Sequence, residues 1–119
     1  MKLLEIFRKK WKRPWGHYEV LNEGVNDRKE WKVKYLKVEP FRYLSLQHHQ
    51  MREEFWVCVK GKGKVILNGV EIEVKEGKLI HIPIRQKHQL INTSNSELVI
   101  IEVQYGEYCC ESDITRWND

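Results

Sequence analysis

The stretch Val65-Ile66-Leu67-Asn68-Gly69-Val70-Glu71-Ile72-Glu73-Val74 constrains this chain more than any other. Asn-Gly between two alternating segments is the strongest short hairpin signal, because both central residues of the turn need positive φ. Similar segments lie on either side. Alternation begins at Lys32 and runs through Val33, Tyr35, Leu36 and Val38 until Pro40 breaks it. Phe55–Val59 is aromatic and β-branched, as strands prefer, and Gly61 and Gly63 punctuate its end. Glu76-Gly77 makes a further turn, Leu79–Ile82 a strand stopped by Pro83, and Leu98–Gln104 a last strong strand. Many short strands without a long helix between them predict a closed all-β sandwich or barrel.

With 119 residues there is room for one domain, and no linker or internal repeat divides it. We read residues 1–12 as an N-terminal arm, helical or irregular, with Leu4, Phe7 and Trp11 at spacings of three and four. Residues 13–119 are read as the barrel. The formal charge is +4, and Arg8, Lys9, Lys10, Lys12 and Arg13 form a basic run. That run is expected to be a solvated terminus, or a lure for an anionic metabolite. No nucleic-acid-binding signature accompanies it. The three cysteines, Cys58, Cys109 and Cys110, make neither an even framework nor a C-x-x-C pair. No apolar run approaches the roughly 18 residues of a membrane span, and the start lacks the apolar core of a secretory signal. A cytoplasmic protein is expected.

Four residues suggest a metal site. Gln47 and His49 are two apart, so in an extended segment both leave one face. Glu54 opens the next strand after a loop, and His88 opens another beyond Pro83. Two imidazoles, a carboxylate and an amide oxygen suit a divalent transition ion. Zn²⁺ ranks first, with Mn²⁺, Co²⁺, Ni²⁺ and Fe²⁺ as alternatives.

The spacing of these residues resembles that of the cupins. Their first motif is Gly, five residues, His-x-His, three or four residues, Glu, six residues and Gly. Here Gln47-x-His49 is followed by four residues, Glu54, six residues and Gly61. Their second motif matches in Gly77, Pro83, His88 and Asn92, with Phe41 and Arg85 standing where two motif glycines would be. The resemblance implies a single cupin barrel, a jelly-roll double-stranded β-helix. Those glycines serve turns, so the fold is expected to survive, and Arg85 is expected near the pocket.

A narrower resemblance covers Arg13 to Asp119. Arg13-Pro14-Trp15-Gly16-x-Tyr18, Leu44-Ser45-Leu46-Gln47, Arg52-x-Glu54-x-Trp56, Ile101-Glu102-Val103-Gln104-x-Gly106-x-Tyr108 and Glu111-x-Asp113-Ile114-x-Arg116 resemble the isomerase domain of bifunctional mannose-1-phosphate guanylyltransferase/mannose-6-phosphate isomerases. It implies a metal-dependent interconversion of mannose 6-phosphate and fructose 6-phosphate through an enediol. Gln47, His49, Glu54 and His88 would hold the metal. Arg52 would assist the oxyanion or grip phosphate, and Glu102, turned inward by strand alternation, is our first choice of base. Arg13, Lys34 and Arg116 match family positions and would bind substrate, with Arg85 as a further candidate. A homodimer is also implied. The chain departs from the family in His49-Gln50-Met51, where the family is richer in histidine, and at Phe55, Cys109, Cys110 and Ser112. A non-catalytic sugar-phosphate or nucleotide-sugar binding cupin is therefore the alternative, and an iron-dependent oxygenase a third reading.

Overall fold

A computed structural model describes residues 9–117, and among them every regular element is a strand. In chain order these are β1 (Trp11–Arg13), β2 (Gly16–Asn26), β3 (Lys29–Val38), β4 (Gln47–His48), β5 (Arg52–Lys60), β6 (Lys62–Leu67), β7 (Val70–Lys75), β8 (Leu79–Ile82), β9 (His88–Ile91), β10 (Leu98–Gly106) and β11 (Thr115–Arg116). Two antiparallel sheets result, ordered β1-β2-β3-β10-β5-β8 and β11-β4-β9-β6-β7. This is the expected all-β barrel.

The Asn-Gly hairpin is present. Leu67 pairs with Val70 across Asn68 (φ 51°) and Gly69 (φ 85°), both in the left-handed region the turn demands. The motif glycine positions have a shared reason. Gly61 (φ 86°) and Gly77 (φ 85°) are left-handed, and so are their non-glycine counterparts Phe41 (φ 59°) and Arg85 (φ 68°). The turns survive with side chains at strained backbone positions.

Two expectations need correction. The helix read over residues 1–12 does not reach its end, because β1 pairs Trp11 with Tyr18 and Arg13 with Gly16. Pro14 disfavours helical backbone at Arg13 and pushes it to extended. Trp11 also stacks on Tyr18, centroids 6.0 Å apart. Leu4 and Phe7 lie outside the described residues. The second correction is β2, a long strand the pattern did not reveal. Leu21 is an extra residue in its ladder, between Val20 paired with Lys34 and Asn22 paired with Val33. Such a bulge breaks the period-2 signal.

Alternation along the central strands grades the interior. On β10 the inward positions run Leu98, Ile100, Glu102 and Gln104; on β5, Cys58, Trp56, Glu54 and Arg52; on β3, Val38, Leu36 and Lys34, all buried. Register aligns like with like. Leu98 faces Val38, Ile100 lies between Leu36 and Cys58, and Glu102 lies between Lys34 and Trp56, with Gln104 beside Glu54. One end of the barrel is therefore an apolar core, joined from the other sheet by Val65, Val74 and Leu90. Each fully buried aliphatic there contributes about 1.5–3 kcal/mol. The other end is a polar chamber.

Candidate metal centre and cavity

Three side chains converge in that chamber. His49, Glu54 and His88 are all buried and each offers a ligand atom within 4.8 Å of the others'. They form the one group of three or more such residues found among the described residues. His49 Nε2 lies 3.2 Å from Glu54 Oε2, and His88 Nε2 lies 3.8 Å from Glu54 Oε1.

Local structure explains this convergence. Glu54 points inward because it alternates with outward Glu53 and Phe55 on β5. Gln47 on β4 pairs with His88 on β9, which brings the two halves of the site side by side. Each histidine is fixed through its other nitrogen. His49 Nδ1 donates to the Asp113 carbonyl at 2.6 Å, and His88 Nδ1 donates to the Gln86 carbonyl at 3.0 Å. A carbonyl can only accept, so both Nδ1 atoms carry a proton and both Nε2 atoms face the centre. Metal-bound imidazoles are oriented in this way.

Gln47 lines the same cavity. Its amide nitrogen donates to the Ser45 carbonyl (3.2 Å) and hydroxyl (3.3 Å), leaving its carbonyl oxygen as the atom available to a cation. The donors present, two imidazole nitrogens, a carboxylate and an amide oxygen, fit a divalent transition ion.

Arg52 braces the group. Its Nε donates to Glu54 Oε2 at 3.1 Å, Nη2 lies 3.3 Å from His49 Nε2, and Nη1 donates to the Cys110 carbonyl at 3.0 Å. Trp56 Nε1 donates to Glu54 Oε1 at 3.1 Å. Burial pushes the Glu54 carboxyl up, but the Arg52 guanidinium and the imidazoles outweigh it and hold it well below the usual carboxylate range. Burial pushes His49 down, favouring its neutral, ligating form.

Glu102 is inside, 5% exposed, and lines the cavity. Burial, and then the charge of Glu54, push its carboxyl up to about 8. The ionised Glu54 carboxylate beside it therefore leaves Glu102 to hold the proton. Gln104 Nε2 donates to Glu102 Oε1 at 2.7 Å.

The cavity holds about 390 Å³, within the range of small-molecule sites. Arg13, Lys34 and Arg116 line it, as do Tyr18 and Glu111. Lys34 is buried and donates to Glu111 Oε2 at 2.6 Å, while Arg13 Nη2 donates to the Tyr18 hydroxyl at 3.3 Å. Arg85 does not join them. Its side chain is exposed and its Nε donates to Gln50 Oε1 at 3.2 Å, because the left-handed turn at Arg85 spends its backbone on the His49 carbonyl and projects the guanidinium outward. Phe55, one of the family departures, also lies away from the chamber, exposed on the outer face and stacked on His81 at 4.7 Å.

Sequence reasoning named Arg116 and quoted Glu111 and Asp113 as motif matches, but missed how residues 107–117 hold the site. Asp113 accepts from Gln50 N (3.0 Å) and Met51 N (2.9 Å) while its carbonyl holds His49. Trp117 N donates to the Leu46 carbonyl, and β11 pairs with β4. Contacts made by backbone carbonyls leave no residue-type signal. Asn92 was named only by spacing; it is 1% exposed and its amide nitrogen donates to the carbonyls of Val38, Glu39 and Ser96.

Comparison with known proteins bears on the fold and the family. Alginate biosynthesis protein AlgA of Pseudomonas aeruginosa is 38% identical over 107 residues, covering 90% of this chain and 21% of that protein. Mannose-1-phosphate guanylyltransferase ManC of Salmonella typhimurium is 37% identical over 107 residues, covering 90% and 22%. The chain thus spans about a fifth of the length of these relatives. Among solved structures, the capsular polysaccharide assembling protein CapF of Staphylococcus aureus superposes with a TM-score of 0.78 at 15% identity, covering 94% of this chain and 34% of that one. A cupin-2 domain from Rhodospirillum rubrum gives 0.69 at 18% identity, covering 89% and 76%. These two show the cupin fold. The sequence model described as the mannose-6-phosphate isomerase C-terminal domain matches residues 2–119, and the chain belongs to that family.

Proposed function

We propose that this chain is a metal-dependent sugar-phosphate isomerase that interconverts mannose 6-phosphate and fructose 6-phosphate. The observation that carries the reading is one cavity lined by Gln47, Glu54 and His88, by the buried carboxyl of Glu102, and by the cations Arg13, Lys34 and Arg116. Its volume of about 390 Å³ accommodates a hexose phosphate.

Gln47, His49, Glu54 and His88 would hold one divalent ion, Zn²⁺ first among the candidates. Such an ion supplies Lewis acidity to a substrate oxygen that gains negative charge. The chain's own residues do the rest. Lys34, Arg13 and Arg116 bind the phosphate and orient the sugar, as arginine and lysine suit that group. Glu102, its ionised form favoured by a cation held beside Glu54, takes the proton from C2 of the open-chain sugar and returns it to C1, while the hydroxyl proton of O2 moves to O1. Nothing is oxidised or reduced overall. Arg52, fixed by three contacts, donates to the oxygen that becomes charged.

Incubation with mannose 6-phosphate and Zn²⁺, Mn²⁺ or Co²⁺ is expected to yield fructose 6-phosphate. Glu102→Gln is expected to lower kcat by about 100-fold or more. No product with any of the metals contradicts the reading. Binding without turnover, the signature of a carbohydrate-binding cupin, would show in calorimetry as heat of binding with mannose 6-phosphate unchanged.

The proposal extends to a homodimer in the cytoplasm. No helix among the described residues is long and apolar enough to cross a membrane. Phe55, Val59, Leu79 and Tyr105 are exposed on the outer face of the six-stranded sheet, a surface a second copy would cover. Sedimentation velocity at micromolar concentration tests this, with a dimer expected and a monomer contradicting it.

A further inference from the structure

Lys34 is a buried cation whose carboxylate partner comes from outside the barrel. Its side chain is 5% exposed, whereas that of Glu111 is 48% exposed. The two meet at 2.6 Å across the cavity wall, with the ammonium also 4.3 Å from the centre of the Tyr18 ring. A buried ammonium requires an anion close by. Glu111, which also lines the cavity, supplies it from the segment between β10 and β11. Burial pushes the Glu111 carboxyl up, but the charge and hydrogen bond of Lys34 hold it below its ordinary value.

The neighbours of Glu111 in sequence hold the catalytic end of the cavity. The Cys110 carbonyl accepts from Arg52, and the Asp113 carbonyl accepts from His49. The span from Cys110 to Asp113 therefore touches the cation, the brace and a proposed metal ligand together. Glu111 lies in the chain between those two anchors.

We propose that Glu111 is a resident stand-in for the ligand's anionic group: a phosphate entering the cavity takes over Lys34 and displaces Glu111, so that anion binding is reported to Arg52 and His49 through residues 110–113. This rests on the sugar-phosphate reading of the same cavity. It makes Lys34 the phosphate anchor and the Glu111 segment a displaceable latch. Neutral sugars, which cannot replace a carboxylate on a buried ammonium, leave the latch in place.

The test is calorimetric titration of the full chain with inorganic phosphate, at one fixed metal load, for wild type, Glu111→Gln, Lys34→Gln and the double variant. Removing the competing carboxylate is expected to tighten phosphate binding by about tenfold, the effect of one charge-assisted contact. Lys34→Gln and the double variant are expected to bind phosphate weakly and equally, since the gain acts through Lys34. Glu111 is half exposed, so its variant remains informative even if Lys34→Gln fails to fold. An affinity in Glu111→Gln equal to or weaker than wild type overturns the proposal, as does a gain that persists in the double variant. Phosphate binding is read without turnover, so its outcome is separate from that of the isomerase assay. A chain that isomerises but shows no gain in Glu111→Gln refutes the latch alone. One that shows the gain without isomerising refutes the reaction alone.

Discussion

His49 Nε2 stands 3.2 Å from Glu54 Oε2, and each of the two is held from behind by a different part of the chain. Asp113 grips His49 through its carbonyl, and Trp56 and Arg52 grip Glu54. The proposed ligands are thus oriented before any ion arrives.

Asp113 should then tune metal affinity without touching the ion. Its carboxylate caps Gln50 N and Met51 N, and that cap fixes where its carbonyl sits. Asp113→Ala is expected to weaken Zn²⁺ binding by about 10- to 100-fold, as loss of an orienting partner does. Competition with a coloured chelator measures this, and unchanged affinity would show that His49 is placed by other means.

Glu102 gives the metal-free protein an unusual pH dependence. Its carboxyl, raised by burial and by Glu54 to about 8, lies above the value of about 4.3 expected in the unfolded chain. Between those values the folded chain holds a proton that the unfolded chain has lost. The contribution is fully present below the unfolded value and is lost as pH rises toward 8. Chelator-treated wild type is therefore expected to melt at a lower temperature at pH 8.5 than at pH 6, by more than Glu102→Gln does. Parallel melting in the two proteins would contradict the buried, protonated carboxyl.

Asn92 joins the second-motif strand to the chain around Pro40. It donates to three backbone carbonyls and its Oδ1 accepts from Ser94 N at 3.0 Å and from the Ser94 hydroxyl at 3.1 Å. Asn92→Ala leaves those buried groups unpaired, at about 1–3 kcal/mol for each that water cannot reach. Urea unfolding should show a loss of about 3 kcal/mol or more. A loss near zero would mean that the loop re-pairs elsewhere.

Arg85 and Phe41 carry backbone strain that glycine would relieve. Both are left-handed and both side chains are exposed. Arg85→Gly is expected to stabilise the fold by about 1 kcal/mol, less the larger unfolded-state freedom of glycine. Thermal melting should rise by a few degrees, roughly 2–4 °C. A fall would assign Arg85 a stabilising contact beyond its bond to Gln50.

How far the sequence could be read depended on whether each feature has a local cause. The Asn68-Gly69 turn, the strand at Leu79–Ile82 and the core of β10 follow from short-range pattern, and they stand where pattern put them. The grouping of His49, Glu54 and His88 was legible only through motif spacing, since nothing local to any one of them marks a ligand. The bulge at Leu21 hid β2, and two-residue β4 is too short to carry a periodic signal. Arg85 was expected near the pocket from its place in the motif, but the direction of a side chain on a left-handed turn is not written in spacing. The latch of residues 110–113 was invisible because its contacts run largely through carbonyl oxygens, which every residue has.

Elemental analysis after equilibrium dialysis against Zn²⁺ tests the central claim most directly. The account predicts one ion retained per wild-type chain, and none by folded Glu54→Gln or His88→Gln. A wild-type chain that retains no divalent ion, from Zn²⁺ or from Mn²⁺, Co²⁺, Ni²⁺ or Fe²⁺, would contradict it, as would a Glu54→Gln chain that retains one.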